Sequence, residues 1–218
     1  MPGPLHGLRV LDLSRVLAGP WSMQTLGDLG ADVIKIERPG LGDDSRHWGP
    51  PWLKDDAGRD TRESAYFLSA NRNKRSVAID INRPEGQALV RRLAGHCDIF
   101  IENFKVGSMA RFGLDDASLR AVRPDIVYLS LTAYGQDGPY ADRPGHDYLF
   151  QGLGGLMSVT GERDDRPGGG PQRTGLPVID LFTGMYASIA ILAAIIIGTL
   201  NPVSSVSKRW SLPARGTR

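Results

Sequence analysis

The sequence is poor in the residues that anchor disulfides and metals. It contains one cysteine, Cys97, and four histidines. A lone cysteine excludes a disulfide framework and a cysteine-based metal centre. His6, His47, His96 and His146 lie far apart along the chain and share no ligand motif, so no metal site is expected. No Gly-x-Ser-x-Gly elbow is present, and no Ser-His-Asp arrangement takes shape. The formal charge is only +2, and no basic run is interleaved with aromatics, so the chain lacks the electrostatic footprint of a nucleic-acid binder. Met1-Pro2-Gly3-Pro4 is not the start of a charged-then-apolar leader. Together with the single cysteine, this points to a reducing, cytoplasmic setting. Long apolar runs are also scarce. The one candidate, Leu181 to Leu200, is borderline for a membrane span, contains Thr183, Ser188 and Thr199, and abuts Asp180. Lys208 and Arg209 follow it, which suits a span, but a buried core helix is the better reading and no membrane partner is expected.

What is present describes an ordinary globular protein of 218 residues, 41% hydrophobic and 23% charged, long enough to bury a sizeable core. Leu8–Leu13 is a short apolar run with strand character. Ala18-Gly19-Pro20 then turns into a helix from Trp21 to Leu29, stopped by Gly30. Ala31–Glu37 is a second strand, which completes a βαβ unit and implies a parallel sheet with a right-handed crossover. Arg38–Glu63 is rich in Gly, Pro, Asp and Arg, lacks periodicity, and reads as one long loop. Ser76–Ile81 is predicted as a strand, and Pro84–Ala94 as a helix with Pro84 in its first turn. Cys97–Ile101 is a further strand. Two short helices, 106–112 and 116–122, and a strand from Asp125 to Leu131 follow. The whole is an open, doubly wound, Rossmann-like α/β sheet, whose ligands bind beyond the carboxyl ends of the strands. Arg38, Asn103 and Tyr134 lie just past strand ends and belong to that rim. Asp147–Thr160 is predicted as a helix weakened by Gly152, Gly154 and Gly155, and Gly161–Thr174 as a polar loop.

Two features carry chemistry. Asp180 stands where a short apolar run ends and the long apolar segment begins. A carboxylate there is favoured in its ionised form by the backbone N–H groups of a helix start. It can be a plain N-cap, or a nucleophile if a reactive acyl group is delivered to it. The second feature is Pro144-Gly145-His146-Asp147-Tyr148. His146 can serve as a general acid or base near neutral pH, or lie at the surface beside a capping Asp147. A basic thread through Lys35, Arg38, Lys74, Arg75, Lys105 and Arg111 is either a solvated face or, if clustered at the rim, a site for the phosphates of a nucleotide-like ligand.

From Leu5 to about Ile195 the chain resembles the family III (CaiB/BaiF-type) CoA-transferases, a superfamily that also holds the 2-methylacyl-CoA racemases. The resemblance rests on Gly7-Leu8-Arg9-Val10-Leu11-Asp12, Leu17-Ala18-Gly19-Pro20, Gly30–Glu37, Asn73-Lys74-Arg75-Ser76, Glu102-Asn103-Phe104, Gly152–Met157 and Asp180-Leu181-Phe182-Thr183-Gly184-Met185. It implies that Asp180 is the nucleophile of a transfer between an acyl-CoA and a free carboxylic acid, passing through an aspartyl-CoA thioester. It also implies that Val16, Arg38, Ile79, Asn103, Phe104 and Arg111 hold coenzyme A, and that the protein forms an interlocked homodimer.

Two departures qualify the resemblance. Position 146 is His, where many transferases have Tyr and racemases have a His-Asp pair. An epimerase in which His146 and Asp180 shuttle a proton is therefore the alternative. Family chains are also about twice as long, and the usual continuation after the apolar helix is missing. Residues 1–197 accordingly read as the partial large domain, and residues 198–218 as a disordered tail foreign to the family, the mark of a truncated or frame-shifted product. A third reading follows, an inactive CoA-binding fragment with an uncovered apolar helix.

Overall fold

The computed structural model describes residues 2–200, so the tail expected to be disordered lies almost wholly outside the described residues. Five parallel strands form the central sheet: β1 (Arg9–Asp12), β2 (Asp32–Glu37), β5 (Lys74–Ala78), β6 (Ile99–Glu102) and β7 (Val127–Ser130), in the spatial order β5-β2-β1-β6-β7. The chain winds outward from β1 first through β2 to β5, then crosses back to β6 and β7. Val10 stands between Val33 and Ile99 across the two ladders, so the reversal of winding falls between β1 and β6. Such a switch point opens a crevice at the carboxyl edge.

Strand alternation divides the core in two. On one face Leu11, Ile34, Phe100 and Tyr128 pack beneath α3 (Pro84–Ala94), α4 (Ser108–Phe112) and α5 (Asp116–Arg120). On the other, Val10, Val33, Ile99, Ile101, Val127 and Leu129 meet α1 (Ala18–Asp28) and α7 (Val178–Leu200). Both faces of β1, β2, β6 and β7 are largely buried, which suits their apolar content, whereas the edge strand β5 is mostly exposed.

The segment Arg38–Glu63, expected to be one loop, is instead built. It holds a 3₁₀ turn at Asp44–His47 and an antiparallel hairpin of β3 (Trp52–Lys54) and β4 (Asp60–Ser64). It leads into α2 (Ala65–Asn71), which the sequence reading left out; the Ser64 hydroxyl accepts a hydrogen bond from Phe67 N–H at 3.0 Å and caps it. The strand expected at Ser76–Ile81 begins two residues earlier. Its start is fixed by Lys74, whose ammonium is drawn inward by Asp12. The helix expected to run from Asp147 to Thr160 breaks. α6 (Asp147–Leu153) stops at Gly154, Gly155 adopts φ +79°, and a separate 3₁₀ turn follows at Leu156–Val159.

The apolar helix α7 begins at Val178, so Asp180 is its third residue and not its N-cap. It is also not buried all round. Ala187, Ser188, Ile191 and Ala194 are sealed against α1 and the sheet, whereas Phe182, Met185, Tyr186, Ile189 and Ile196 are each more than half exposed. A helix apolar on every side needs cover on every side, and among the described residues only one side receives it. By length and composition Val178–Gly198 is long and apolar enough to cross a membrane. Its inner face is tied to the domain by close packing. A Cβ on Gly184 would lie 2.6 Å from the Ala18 carbonyl oxygen, and the Ser22 and Ser188 hydroxyls are 2.9 Å apart.

Candidate active site

The site grows from the loop between β1 and α1. Asp12, at the carboxyl end of β1, accepts hydrogen bonds from the Ser14 N–H and hydroxyl. Lys74 Nζ lies 3.0 Å from Asp12 Oδ2 and also donates to the Pro20 carbonyl and the Asn71 side chain. Beside it Lys35 Nζ sits 2.9 Å from Asp43 Oδ2, with side-chain exposures of 1% and 0%, and donates to the Ser14 carbonyl at 2.8 Å. Burial alone would raise the Asp12 and Asp43 carboxyls. The neighbouring lysine charges and hydrogen bonds outweigh it and hold both below their ordinary value. Paired, hydrogen-bonded charges of this kind hold a loop in one geometry, because any displacement strands a charge in the interior.

Lys35 and Lys74 are thus withdrawn from the basic thread as ligand contacts. Arg75 is withdrawn too, since it pairs with Asp32 at the opposite end of β2. Lys105 and Arg111 are left at the rim, together with Arg38, which pairs with the Asp44 carboxylate at 2.5 Å.

Val16 adopts φ +73°, a left-handed conformation that is costly for a β-branched residue. Its N–H is held by both carboxylate oxygens of Asp43 at 3.2 Å. Asn103 clamps the preceding residue: its Oδ1 accepts from Arg15 N–H at 2.9 Å and its Nδ2 donates to the Arg15 carbonyl at 2.8 Å. Arg15 in turn lies 4.8 Å above the Phe104 ring. The buried Glu102 carboxylate, which burial pushes upward in pKa, accepts from Phe104 N–H at 2.7 Å and fixes that ring's backbone.

Two compartments open at this rim and meet at Arg15 and Phe104. The first, about 280 Å³, is bordered by Arg38, Ile79, Phe104 and Arg111. The second, about 620 Å³, is bordered by Asn103, Phe104, His146 and Asp180. Seven of the eight residues expected at the site therefore border these two adjoining cavities. The eighth, Val16, shapes the loop beside it.

Asp180 is half-buried at the head of α7. Burial, and then the negative charge of Asp147, push its carboxyl up to about 6, with His146 pulling the other way. The helix start does favour the ionised form, but here the low-dielectric surroundings and the like charge outweigh it. Near neutral pH the group is still mostly ionised, and weakly solvated. The capping work assigned above to Asp180 is done by Asp147, whose Oδ1 accepts from Ile179 N–H at 2.7 Å and Asp180 N–H at 3.1 Å. Gln151 donates to the other Asp147 oxygen. His146 is exposed, stacks on Tyr148 with ring centroids 6.0 Å apart, and precedes α6 without capping it through its side chain.

Sequence reasoning missed Tyr66. Its ring meets Trp48 edge-on at 5.0 Å, and burial, then the charges of Asp180, Asp147 and Asp43, push its phenol up to about 12. It stays a hydroxyl donor at neutral pH. No local pattern marks it, because it arrives through the unrecognised hairpin and α2. Arg15 was missed as well, although its place just beyond β1 was a usable signal.

The model of CoA-transferase family III matches residues 5–198. A succinate–glutarate CoA-transferase of Agrobacterium fabrum is 52% identical over 88% of this chain and 47% of its own length. The human succinyl-CoA:glutarate CoA-transferase is 46% identical over 88% of this chain and 42% of its own. A crystal structure of a CaiB/BaiF family protein from Brucella suis superposes with a TM-score of 0.85 at 48% identity, covering 93% of this chain and 51% of that one. The chain spans about half the length of the relatives it matches.

Proposed function

The chain belongs to CoA-transferase family III, and from the arrangement of its rim we propose that Asp180 transfers coenzyme A from an acyl-CoA to a free carboxylic acid through an aspartyl-CoA thioester. One observation carries the reading. A half-buried carboxyl with raised pKa borders a cavity that shares Arg15 and Phe104 with a neighbouring one bordered by Arg38 and Arg111. The two guanidinium groups suit the phosphates of the nucleotide end, and Ile79 and Phe104 suit its apolar parts.

An Asp180 oxygen attacks the thioester carbonyl, the C–S bond breaks, and CoA leaves as thiolate, giving a mixed anhydride. The thiolate attacks the Asp180 carbonyl carbon and expels the donor acid as a carboxylate, leaving aspartyl-CoA. The acceptor carboxylate attacks the same carbon, expels thiolate and forms a second anhydride. Thiolate then attacks the acceptor carbonyl and restores the Asp180 carboxylate. Covalent catalysis of this kind divides one hard exchange into easier ones. A thiolate is a better leaving group than an alkoxide, and a desolvated carboxylate is a stronger nucleophile than one in water. The names of the relatives support dicarboxylic acids as donor and acceptor.

The interlocked homodimer belongs to the same reading. The uncovered face of α7 is the apolar surface that assembly would have to cover, and sedimentation equilibrium tests it.

The test of transfer is isotope exchange. Labelled succinate should enter succinyl-CoA in the presence of the protein and fail to do so with Asp180→Asn. His146 and Asp180 share one cavity, which keeps a proton shuttle across an α-carbon in view. Deuterium wash-in at the α-carbon of a 2-methylacyl-CoA, with no exchange of free acid, would replace transfer by epimerisation. CoA binding with neither reaction would leave a binding fragment.

A further inference from the structure

We propose that Arg143 binds the far carboxylate of a dicarboxylic acyl group whose near end reacts at Asp180. The inference rests on the transfer reading above and adds the residue that selects the substrate. The 620 Å³ cavity is lopsided in charge. Among its described lining residues Asp180 is the only acid, while Arg15, Lys105 and Arg143 are cationic. An acyl chain ending in a methyl group would offer those cations no charged partner. A second carboxylate on the acyl chain matches them.

The three cations are not equivalent. Arg15 is committed: it pairs with Asp44 at 3.6 Å, lies over Phe104, and has its backbone clamped by Asn103. Lys105 is exposed on a flexible stem and also borders a neighbouring cavity that contains Glu102, Asp115 and Asp116. Arg143 has no ion pair among the described residues, yet its guanidinium is oriented. It lies 4.3 Å above the Tyr140 ring, Tyr140 meets Tyr134 edge-on at 5.6 Å, and Tyr134 packs on Phe150 at 5.2 Å. This aromatic shelf holds a flat, unspent fork at the mouth of the cavity, three residues before His146. A planar guanidinium presented this way binds a carboxylate bidentately, which an ammonium cannot do.

The test compares acyl groups of equal length, succinyl-CoA and butyryl-CoA, on the wild-type chain, Arg143→Gln and Arg143→Lys, with matching melting curves as the check on folding. The wild type should acylate Asp180 from succinyl-CoA about tenfold to hundredfold faster than from butyryl-CoA, the range expected for a hydrogen bond to a charged group. Arg143→Gln should lose most of that preference, and Arg143→Lys should keep part of it. An unchanged ratio in Arg143→Gln overturns the assignment. If neither thioester acylates the wild type, the transfer reading fails instead, and calorimetric titration with glutarate and butyrate then decides Arg143 alone. Selective glutarate binding lost in Arg143→Gln supports it, and binding of the two acids that Arg143→Gln leaves unchanged overturns it.

Discussion

Asp147 holds Asp180 by its backbone while opposing it by charge. The Asp147 Oδ1 accepts from both Ile179 N–H and Asp180 N–H, so it fixes the first turn of α7, and its negative charge helps to raise the Asp180 carboxyl. Asp147→Asn keeps an oxygen acceptor and removes the charge. It should lower the Asp180 pKa from about 6 toward the ordinary aspartate value, as read by carbon-13 NMR titration of that carboxyl. Asp147→Ala removes the cap too and should cost a further ~1 kcal/mol in chemical unfolding. A titration unmoved in Asp147→Asn would mean that burial alone sets the value.

The raised pKa of Asp180 also makes a statement about stability. Between its ordinary 3.8 and about 6 the folded chain keeps a proton that the unfolded chain has released. This group's contribution is therefore fully present below pH 3.8 and is lost as pH rises through 6. Asp180→Asn should be more stable than the wild type at pH 8, with the difference vanishing toward pH 4. Urea midpoints across that range measure it, and a difference independent of pH would contradict the argument.

The buried Lys35–Asp43 pair predicts a different pattern. Removing one partner leaves an uncompensated charge in the interior, so Lys35→Met should cost about 3–5 kcal/mol. Lys35→Met with Asp43→Leu should recover part of that loss. The recovery will be incomplete, because Asp43 also holds Val16 N–H and Ser45 N–H. A double-mutant cycle in urea resolves the two parts.

Gly184 marks a close approach of α7 to α1. A methyl group there would lie 2.6 Å from the Ala18 carbonyl oxygen and 3.0 Å from the Trp21 ring. Backbone cannot yield as a side-chain tip can. Gly184→Ala should therefore destabilise the chain by about 1–3 kcal/mol through overpacking, even though alanine is the better helix former by about 1 kcal/mol. A melting temperature at or above that of the wild type would show that the two helices can part.

The sheet was legible because its buried strands carry short clusters of apolar residues, such as Val33-Ile34 and Ile99-Phe100-Ile101, and because Pro84 announces its helix. The hairpin was not. Lys54 through Asp60 is polar apart from Ala57 and Gly58, and its pairing depends on partners across a turn that only Gly58, at φ +76°, hints at. The burial of Lys35 and Lys74 could not be read either, since Asp43 and Asp12 reach them from 8 and 62 residues away in sequence. The resemblance singled out Asp180, His146 and the groove residues as candidates. It did not reveal that Asp147, beside His146, caps a helix beginning 31 residues later.

The central claim is that Asp180 becomes covalently joined to coenzyme A. The direct measurement is the mass of the Asp180 peptide after brief incubation with succinyl-CoA, rapid quenching in acid and proteolysis. The account predicts a peptide heavier by CoA less one water, present in the wild type and absent in Asp180→Asn. Intact CoA binding with an unmodified Asp180 peptide throughout would contradict it.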